Sequence, residues 1–406
     1  MKRGTRRRPR LGLTLGIVLC LAALAGCDWT AFGYDAGHAS SNPSETEIGV
    51  GNVAHLQVDW SVPTGSNIAY EQYPAVSGDV VVTGTTVVHD DQTYGGTVRA
   101  VSAATGATLW VHDVGVPPQA PAIAHGLVYV GGGCYAAGSP ATLRAYDLHT
   151  GVLRWEAPLA APLCGPPAVA GDRVYVPTQQ YPRNPMVDQQ LMALDAVTGR
   201  EVWRAPVPSG TNGSPTVTGG VVVVSTNERR VMAFDAATGA PRWTAGTGYY
   251  TVASAYGRLY AGSNDGSLEA LDPATGDSIW RVEPASPDAR ARIVQGPAVS
   301  RGVVYAQVES LPSGRNGLAA FDAATGAERW FVDRAFNTVA PVVANGVVYM
   351  PTSGSVEALD ASTGVPVASL PFRTPAVIVA NGHLYVNESA PPSETTTLTA
   401  LSPAPS

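Results

Sequence analysis

The chain has 406 residues, with 25 Lys and Arg against 32 Asp and Glu and a formal net charge of −7. Hydrophobic residues make up 45% and charged ones only 14%, while 44 Gly and 33 Pro punctuate the sequence. This composition argues against disorder and long helices, and fits short strands joined by tight turns. The acidic balance argues against nucleic acid or anionic lipid headgroups as charge-matched partners.

Residues 1–10 carry Lys2, Arg3, Arg6, Arg7, Arg8 and Arg10, and an apolar run follows from Leu11 to Ala25. A basic front before fifteen apolar residues is the order of an export signal and is short for a membrane span. Leu24-Ala25-Gly26-Cys27 closes it and resembles the lipobox of bacterial lipoproteins, whose Cys becomes lipid-modified and N-terminal. The other reading is a small-residue cleavage site beside a chance Cys. The lipobox reading makes 1–26 a lipoprotein signal peptide, 27–50 a lipid-anchored tether and 51–406 the folded domain. The protein is then exported and held through Cys27 at the outer surface of the cytoplasmic membrane. Loss of the six basic leader residues takes the charge to about −13.

From residue 100 onward one pattern recurs, A-φ-D-x-x-T-G-x-x-x-W, with its Trp at Trp155, Trp203, Trp243, Trp280 and Trp330. Variants flank it: Ala100 to Trp110 has Ser102 in place of Asp, and Ala358 to Ala368 keeps Asp360, Thr363 and Gly364 but has Ala368 in the Trp slot. Upstream of each lies an apolar run, a Gly turn and a second apolar run, so every unit supplies four short strands. The Asp accepts hydrogen bonds across its turn, the Gly takes a positive φ, and the Trp docks on the neighbouring unit. Upstream halves begin near Pro74, Pro121, Pro167, Pro215, Val252, Pro297, Pro341 and Pro375, which gives eight units. The last lacks its fourth strand, and Leu56 to Val62, containing Trp60, is a fourth strand without a unit. The predicted fold is therefore all-β, an eight-bladed propeller of four-stranded antiparallel blades closed by the N-terminal strand. Its docking residues are Trp60, Trp110, Trp155, Trp203, Trp243, Trp280 and Trp330.

Cys134 and Cys164 are the cysteines of the folded domain. An even pair in an exported protein suggests a disulfide between neighbouring blades, the alternative being two inert small core residues. Residues just before each first strand rim one mouth of the channel: Glu71, Gln72, Gln119, Asn212, Tyr249, Tyr250, Gln295, Asn337 and Arg373. They are polar enough to hold a ligand, and a solvated channel needs the same residue types. The seven His show no metal-ligand spacing, and no catalytic triad can be nominated.

The repeat resembles that of the quinoprotein dehydrogenases, which use pyrroloquinoline quinone (PQQ). Their opening is also similar to Trp29-x-x-Phe32-Gly33-Tyr34-Asp35, Ser41-Asn42-Pro43, Ile48, Asn52-Val53, Leu56 and Trp60. That resemblance implies PQQ with calcium as cofactor and Glu71 as a quinone contact, yet the adjacent Cys-Cys pair typical of those enzymes is missing. The chain also resembles the propeller lipoproteins of the outer-membrane barrel assembly machinery, which carry the repeat and the anchor without a cofactor. Three functions follow: a non-catalytic envelope scaffold, monomeric, binding envelope proteins or a small ligand at the mouth; a PQQ-dependent oxidoreductase; or a propeller hydrolase or carbohydrate binder. The first is the leading expectation, with no cofactor.

Overall fold

The computed structural model describes residues 27–404 except 66–72, 89–93, 134–140, 180–188, 209, 212, 247–248, 264, 284–289, 312–314, 338, 375 and 389–395. Eight antiparallel sheets form a ring in chain order: blade 1 (75–113), blade 2 (122–158), blade 3 (168–206), blade 4 (216–245), blade 5 (249–282), blade 6 (290–333), blade 7 (342–370) and blade 8 (376–403). Each runs from an innermost first strand to an outermost fourth. Blade 8 takes its fourth strand from the other end of the chain: β2 (Leu56–Pro63) pairs antiparallel with Thr397–Pro403, Leu56 opposite Pro403 and Pro63 opposite Thr397. Joining both ends in one sheet leaves the ring no open blade.

The two faces of the ring have different construction. Turns between first and second strands are two-residue turns, and in six blades φ is positive at both positions, as at His125-Gly126, Asn345-Gly346 and Asn381-Gly382, a geometry that matches strand twist. The Asp-x-x-Thr-Gly turns lie beside them, since the N–H groups of Leu148, Ala196 and Ala361 donate to the carbonyls of Gly126, Asp172 and Gly346 at 2.8–2.9 Å. This is the turn face. At the opposite end, the mouth face, loops entering first strands meet loops leaving second strands: Gln119 N–H reaches Gly131 O and Asn337 N–H reaches Pro351 O, both at 2.8 Å.

The repeat residues make the seams between blades. Within a turn, Asp195 Oδ1 accepts from the Thr198 N–H at 2.8 Å and its hydroxyl at 2.7 Å, and Gly199 has φ +70°. The Nε1 of each docking Trp donates to the carbonyl after the Asp position of the next blade, at 2.8–3.2 Å, from Trp60 to Ala103 O round to Trp330 to Ala361 O. The hydroxyls of Tyr129, Tyr175, Tyr260 and Tyr305 share four of these carbonyls at 3.1–3.2 Å. The turn Gly lies under the Trp ring, so that a Cβ at Gly106, Gly151, Gly199, Gly239, Gly276, Gly326 or Gly364 would sit 2.5–2.8 Å from an indole carbon.

One seam is different. Blade 7 has Ala368 where a Trp would stand, and blade 8 has no Thr-Gly turn to receive one. The N-terminal segment fills that place: Ile48 and Val53 are fully buried, and the short helical turn Val53–His55 packs against Pro366–Leu370. Glu45, 1% exposed, fixes the segment by accepting from the N–H groups of Glu47 and Ile48 and of Gly382 in blade 8.

Residues 28–44 line the inside of the ring. The N–H groups of Val76, Ile123, Val217, Ser254, Val299 and Val343, each on a first strand, donate to the carbonyls of Trp29, Thr30, Ala36, Gly37, Ala39 and Ser40 at 2.6–2.9 Å. β1 (Ser41–Asn42) adds a parallel strand to blade 7, and Asn42 Nδ2 donates to Val379 O of blade 8 at 2.8 Å. The tether read from sequence over 27–50 is thus bound to the ring, residues 28–44 within the channel and Glu45 and Ile48 at the seam of blades 7 and 8, because the inner edge of a first strand needs a partner and this segment supplies it at six blades. Two further departures are local. The first strands of blades 5 and 6 begin at Tyr249 and Arg290, earlier than expected, and Pro297 falls inside the latter, at a register shift between Val294 and Ala298 where a Pro is tolerated.

The seam can be tested with two glycines. Gly171 has φ +56° with open space at its Cβ position, whereas Gly199 combines φ +70° with an indole carbon at 2.5 Å. Gly171→Ala should cost about 1 kcal/mol from backbone strain alone, and Gly199→Ala about 3 kcal/mol because overpacking adds to it. Urea unfolding midpoints compare them; equal losses would show that the indole does not rest on the turn.

Candidate functional site

Three of the nine nominated residues, Gln119, Asn337 and Arg373, are described with their side chains, and all three lie in loops entering first strands at the mouth face. Gln119 is half-buried and Arg373 is exposed at the rim. Asn337 is half-buried, and its Nδ2 donates to Thr352 O at 2.8 Å, so this amide braces the loop after the second strand of blade 7. Tyr249, Tyr250 and Gln295 lie on the first strands of blades 5 and 6, with side chains outside the described residues. Glu71, Gln72, Asn212 and Cys134 lie outside the described residues altogether. Cys164 is half-buried and disulfide-bonded. The residues next to the expected pair, Gly133 and Leu163, form a parallel bridge.

The structure also gathers a niche that no motif announced. Gln179 Oε1 accepts from Asn227 Nδ2 at 2.9 Å, although 48 residues separate them, and Gly210 lies between. A Cβ on Gly210 would stand 2.2 Å from Gln189 Oε1 and 2.7 Å from Asn227 Nδ2, so only glycine allows these amides to converge. Gln189 Oε1 is buried and finds no hydrogen-bond partner among the described residues. Two ribbons rise beside this rim and make it uneven. In blade 1 the second and third strands pair up to Val88 and Tyr94, and in blade 6 the first and second pair up to Arg290 and Leu311. Beside the second ribbon a cleft of about 180 Å³ is lined by Gln307, Glu309, Asn316, Arg334 and Phe336. Gln307 Nε2 donates to Phe336 O at 3.3 Å, and Arg334 pairs with the buried Glu357 at 3.0 Å.

On the turn face a larger cleft, about 310 Å³, is lined by Val50, Arg301, Tyr305, Arg329, Asp360 and Ser362. The carboxyls of the turns are held low. Arg242 first, and then Thr238, keep Asp235 at about 2, and Arg329 with Thr325 does the same for Asp322. These pairs complete the turn and leave its Asp little freedom for proton transfer.

Deeper in the channel lies His38, 3% exposed with φ +55°. Its Nε2 is 3.2 Å from Ser214 Oγ and its Nδ1 3.4 Å from Thr216 Oγ1. Ser214 Oγ also lies 2.9 Å from Pro166 O and Thr216 Oγ1 2.6 Å from Val252 O, so the ring links blades 3, 4 and 5 from inside. Burial without a counter-charge lowers its pKa to about 4. Sequence reasoning passed over His38, which stands among small residues with no pattern around it.

A family model described as outer membrane protein assembly factor BamB matches residues 94–188 and 186–365. The chain belongs to this family. The structure of BamB from Moraxella catarrhalis is similar, with a TM-score of 0.63 at 20% identity, covering 86% of this chain and 98% of that one. Quinohemoprotein alcohol dehydrogenase from Comamonas testosteroni has a TM-score of 0.71 at 16% identity, covering 93% and 81%. At these identities the likeness is one of fold. The dehydrogenase subunit of a quinone alcohol dehydrogenase from Gluconacetobacter polyoxogenes is 31% identical over 136 residues, a match spanning 27% of this chain and 18% of that enzyme. Among the described residues no three His, Cys, Asp or Glu side chains converge to hold a metal ion. Glu71, the quinone contact that the resemblance implies, lies outside those residues.

A buried neutral His38 leaves stability intact above its unfolded pKa of 6.5 and erodes it as the pH falls toward 4. At pH 5 the loss is on the order of 2 kcal/mol. His38→Gln should flatten the drop in unfolding midpoint between pH 7 and pH 5; an unchanged slope would place the acid sensitivity elsewhere. A bridge from Cys134 to Cys164 would enclose a loop of about 30 residues and contribute on the order of 3–4 kcal/mol. Reduction should then lower the melting temperature without unfolding the ring at room temperature. Thiol counting on denatured, unreduced protein should find neither Cys134 nor Cys164 free, and finding both free would remove the bridge.

Proposed function

We propose that the protein is a non-catalytic scaffold of the cell envelope that binds an envelope protein at its mouth face. The observation that carries this is the unequal use of the two ends. Residues 28–44 satisfy the inner strands toward the turn face, while the mouth carries the amide niche and two ribbons whose strands run on past the ring. Membership of a family described by outer membrane protein assembly supports a protein partner over a small ligand. The leader pattern of residues 1–26 supports export, with anchoring through Cys27, a free and half-buried thiol. Asp28 directly after Cys27 supports retention at the outer surface of the cytoplasmic membrane in a two-membrane bacterium.

A second reading, a PQQ-dependent oxidoreductase, draws on the opening motif, on Glu71 and on the quinone alcohol dehydrogenase relative. One experiment separates the two. Purified protein supplied with PQQ and Ca²⁺ is assayed for dye reduction over a panel of alcohols and sugars, and the expected rate is that of the protein-free control. Reduction about tenfold above that control, abolished by Glu71→Ala, would overturn the scaffold. The scaffold further predicts that a partner recovered from solubilised membranes is lost with Arg373→Glu at the mouth and kept with Val197→Asp on the turn face.

A further inference from the structure

The anchoring reading, on which this inference rests, fixes where a membrane group joins the ring. Cys27 O accepts from Asn42 Nδ2 at 2.7 Å and from the Asn381 N–H at 3.3 Å. Asp28 Oδ1 accepts from the Gly78 N–H at 2.9 Å and from Asn381 Nδ2 at 3.1 Å, and its Oδ2 from Ser77 Oγ at 2.9 Å. Trp29, 1% exposed, pairs antiparallel with Val76. The chain just after the Cys is therefore clamped between the first turns of blades 8 and 1. No free spacer separates Cys27 from the folded ring, and the apolar run of the leader ends at Ala25, two residues earlier.

Among the described residues the exposed apolar side chains are biased the same way. Val50, Val152, Val197, Tyr256 and Val365 are 40–61% exposed, and all stand on the turn face or on the segment that feeds it. They belong to blades 2, 3, 5 and 7 and to the seam beside blade 8, spread round the ring and not gathered on one edge. The mouth offers Tyr94 alone among the described large apolar residues exposed by a third or more, the others lying on outer strands. The acidic turns do not oppose a bilayer as strongly as their number implies, since Arg154–Asp147 and Arg329–Asp322 are paired at 2.7 Å. The attraction is anchor plus apolar contact and owes nothing to net charge, which is negative.

We propose that the turn face lies flat on the bilayer that holds Cys27, and that the mouth points away from it. Strands of five or six residues put the mouth about 20 Å from the lipid surface. The partner of the scaffold then approaches from the aqueous side, and the turn-face cleft beside Val50 opens onto headgroups.

The test uses the full anchored chain reconstituted into vesicles of phosphatidylethanolamine and phosphatidylglycerol. Single cysteines replace Val197 or Val365 on the turn face and Arg373 or Glu228 on the mouth face, each labelled with a polarity-sensitive fluorophore. A nitroxide-bearing phospholipid serves as quencher. Quenching at 197 and 365 should exceed that at 373 and 228 about threefold. Membrane-bound protein with even quenching, or with the mouth positions quenched more, overturns the orientation and leaves the anchor standing. Protein that fails to sediment with the vesicles overturns the anchor and the orientation together.

Discussion

The carbonyl that follows the repeat Asp is the point on which the ring depends. It belongs to a turn fixed by the Asp side chain, and it accepts the indole N–H of the preceding blade, with a tyrosine hydroxyl added at four seams. The glycine three residues after that carbonyl lets the indole lie flat against the turn. A buried Trp contributes several kcal/mol through its apolar area, but only if its N–H is satisfied, since a lost hydrogen bond in a dry seam costs about 1–3 kcal/mol. Turn, glycine and indole are therefore one unit split between two blades. A seam lacking any of them needs a substitute.

That requirement explains the seventh seam. Ala368 brings neither the area nor the N–H of a Trp, and the chain uses Ile48, Val53 and the buried carboxylate of Glu45 in its place. Tyr349, which on the pattern of Tyr305 would reach the next blade, has a buried hydroxyl without a partner among the described residues. The same N-terminal segment runs on into β2 and closes blade 8. Channel lining, replacement seam and closing strand are consecutive in sequence, so the ring cannot be completed without ordering the residues between Cys27 and Pro63.

Legibility in the sequence followed the kind of interaction. The blades and their seams were readable because they rest on side chains repeated at a fixed spacing, and Trp60 could be joined to the last unit by counting strands. The channel segment was misread as a tether because its bonds come from backbone carbonyls, which any residue supplies; only Trp29, Phe32 and Tyr34 hinted at burial. At the mouth, position was readable and role was not. Asn337 was nominated as a lining residue, yet its amide is engaged with Thr352 O. Gln179, Gln189 and Asn227 meet only because two loops far apart in sequence cross at Gly210. Nothing in either loop alone marks the meeting.

A difference in freedom between the two faces follows from this division. On the turn face the Asp-x-x-Thr-Gly turns are bound to the preceding blade through the indole and the glycine beneath it, so a change at either is felt at a seam. The described mouth loops are joined by bonds that differ from one pair of blades to the next, such as Asn227 to Gln179 and Gln307 to Phe336 O, and the two ribbons extend past the ring at blades 1 and 6 without disturbing the four-strand plan. The ring is shared with an assembly factor on one side and quinohemoprotein dehydrogenases on the other, so the ring by itself does not fix a function. In this chain the described part of the mouth face carries an amide niche built on Gly210 and two ribbons of unequal height, features set by loops and not by the repeat that builds the seams.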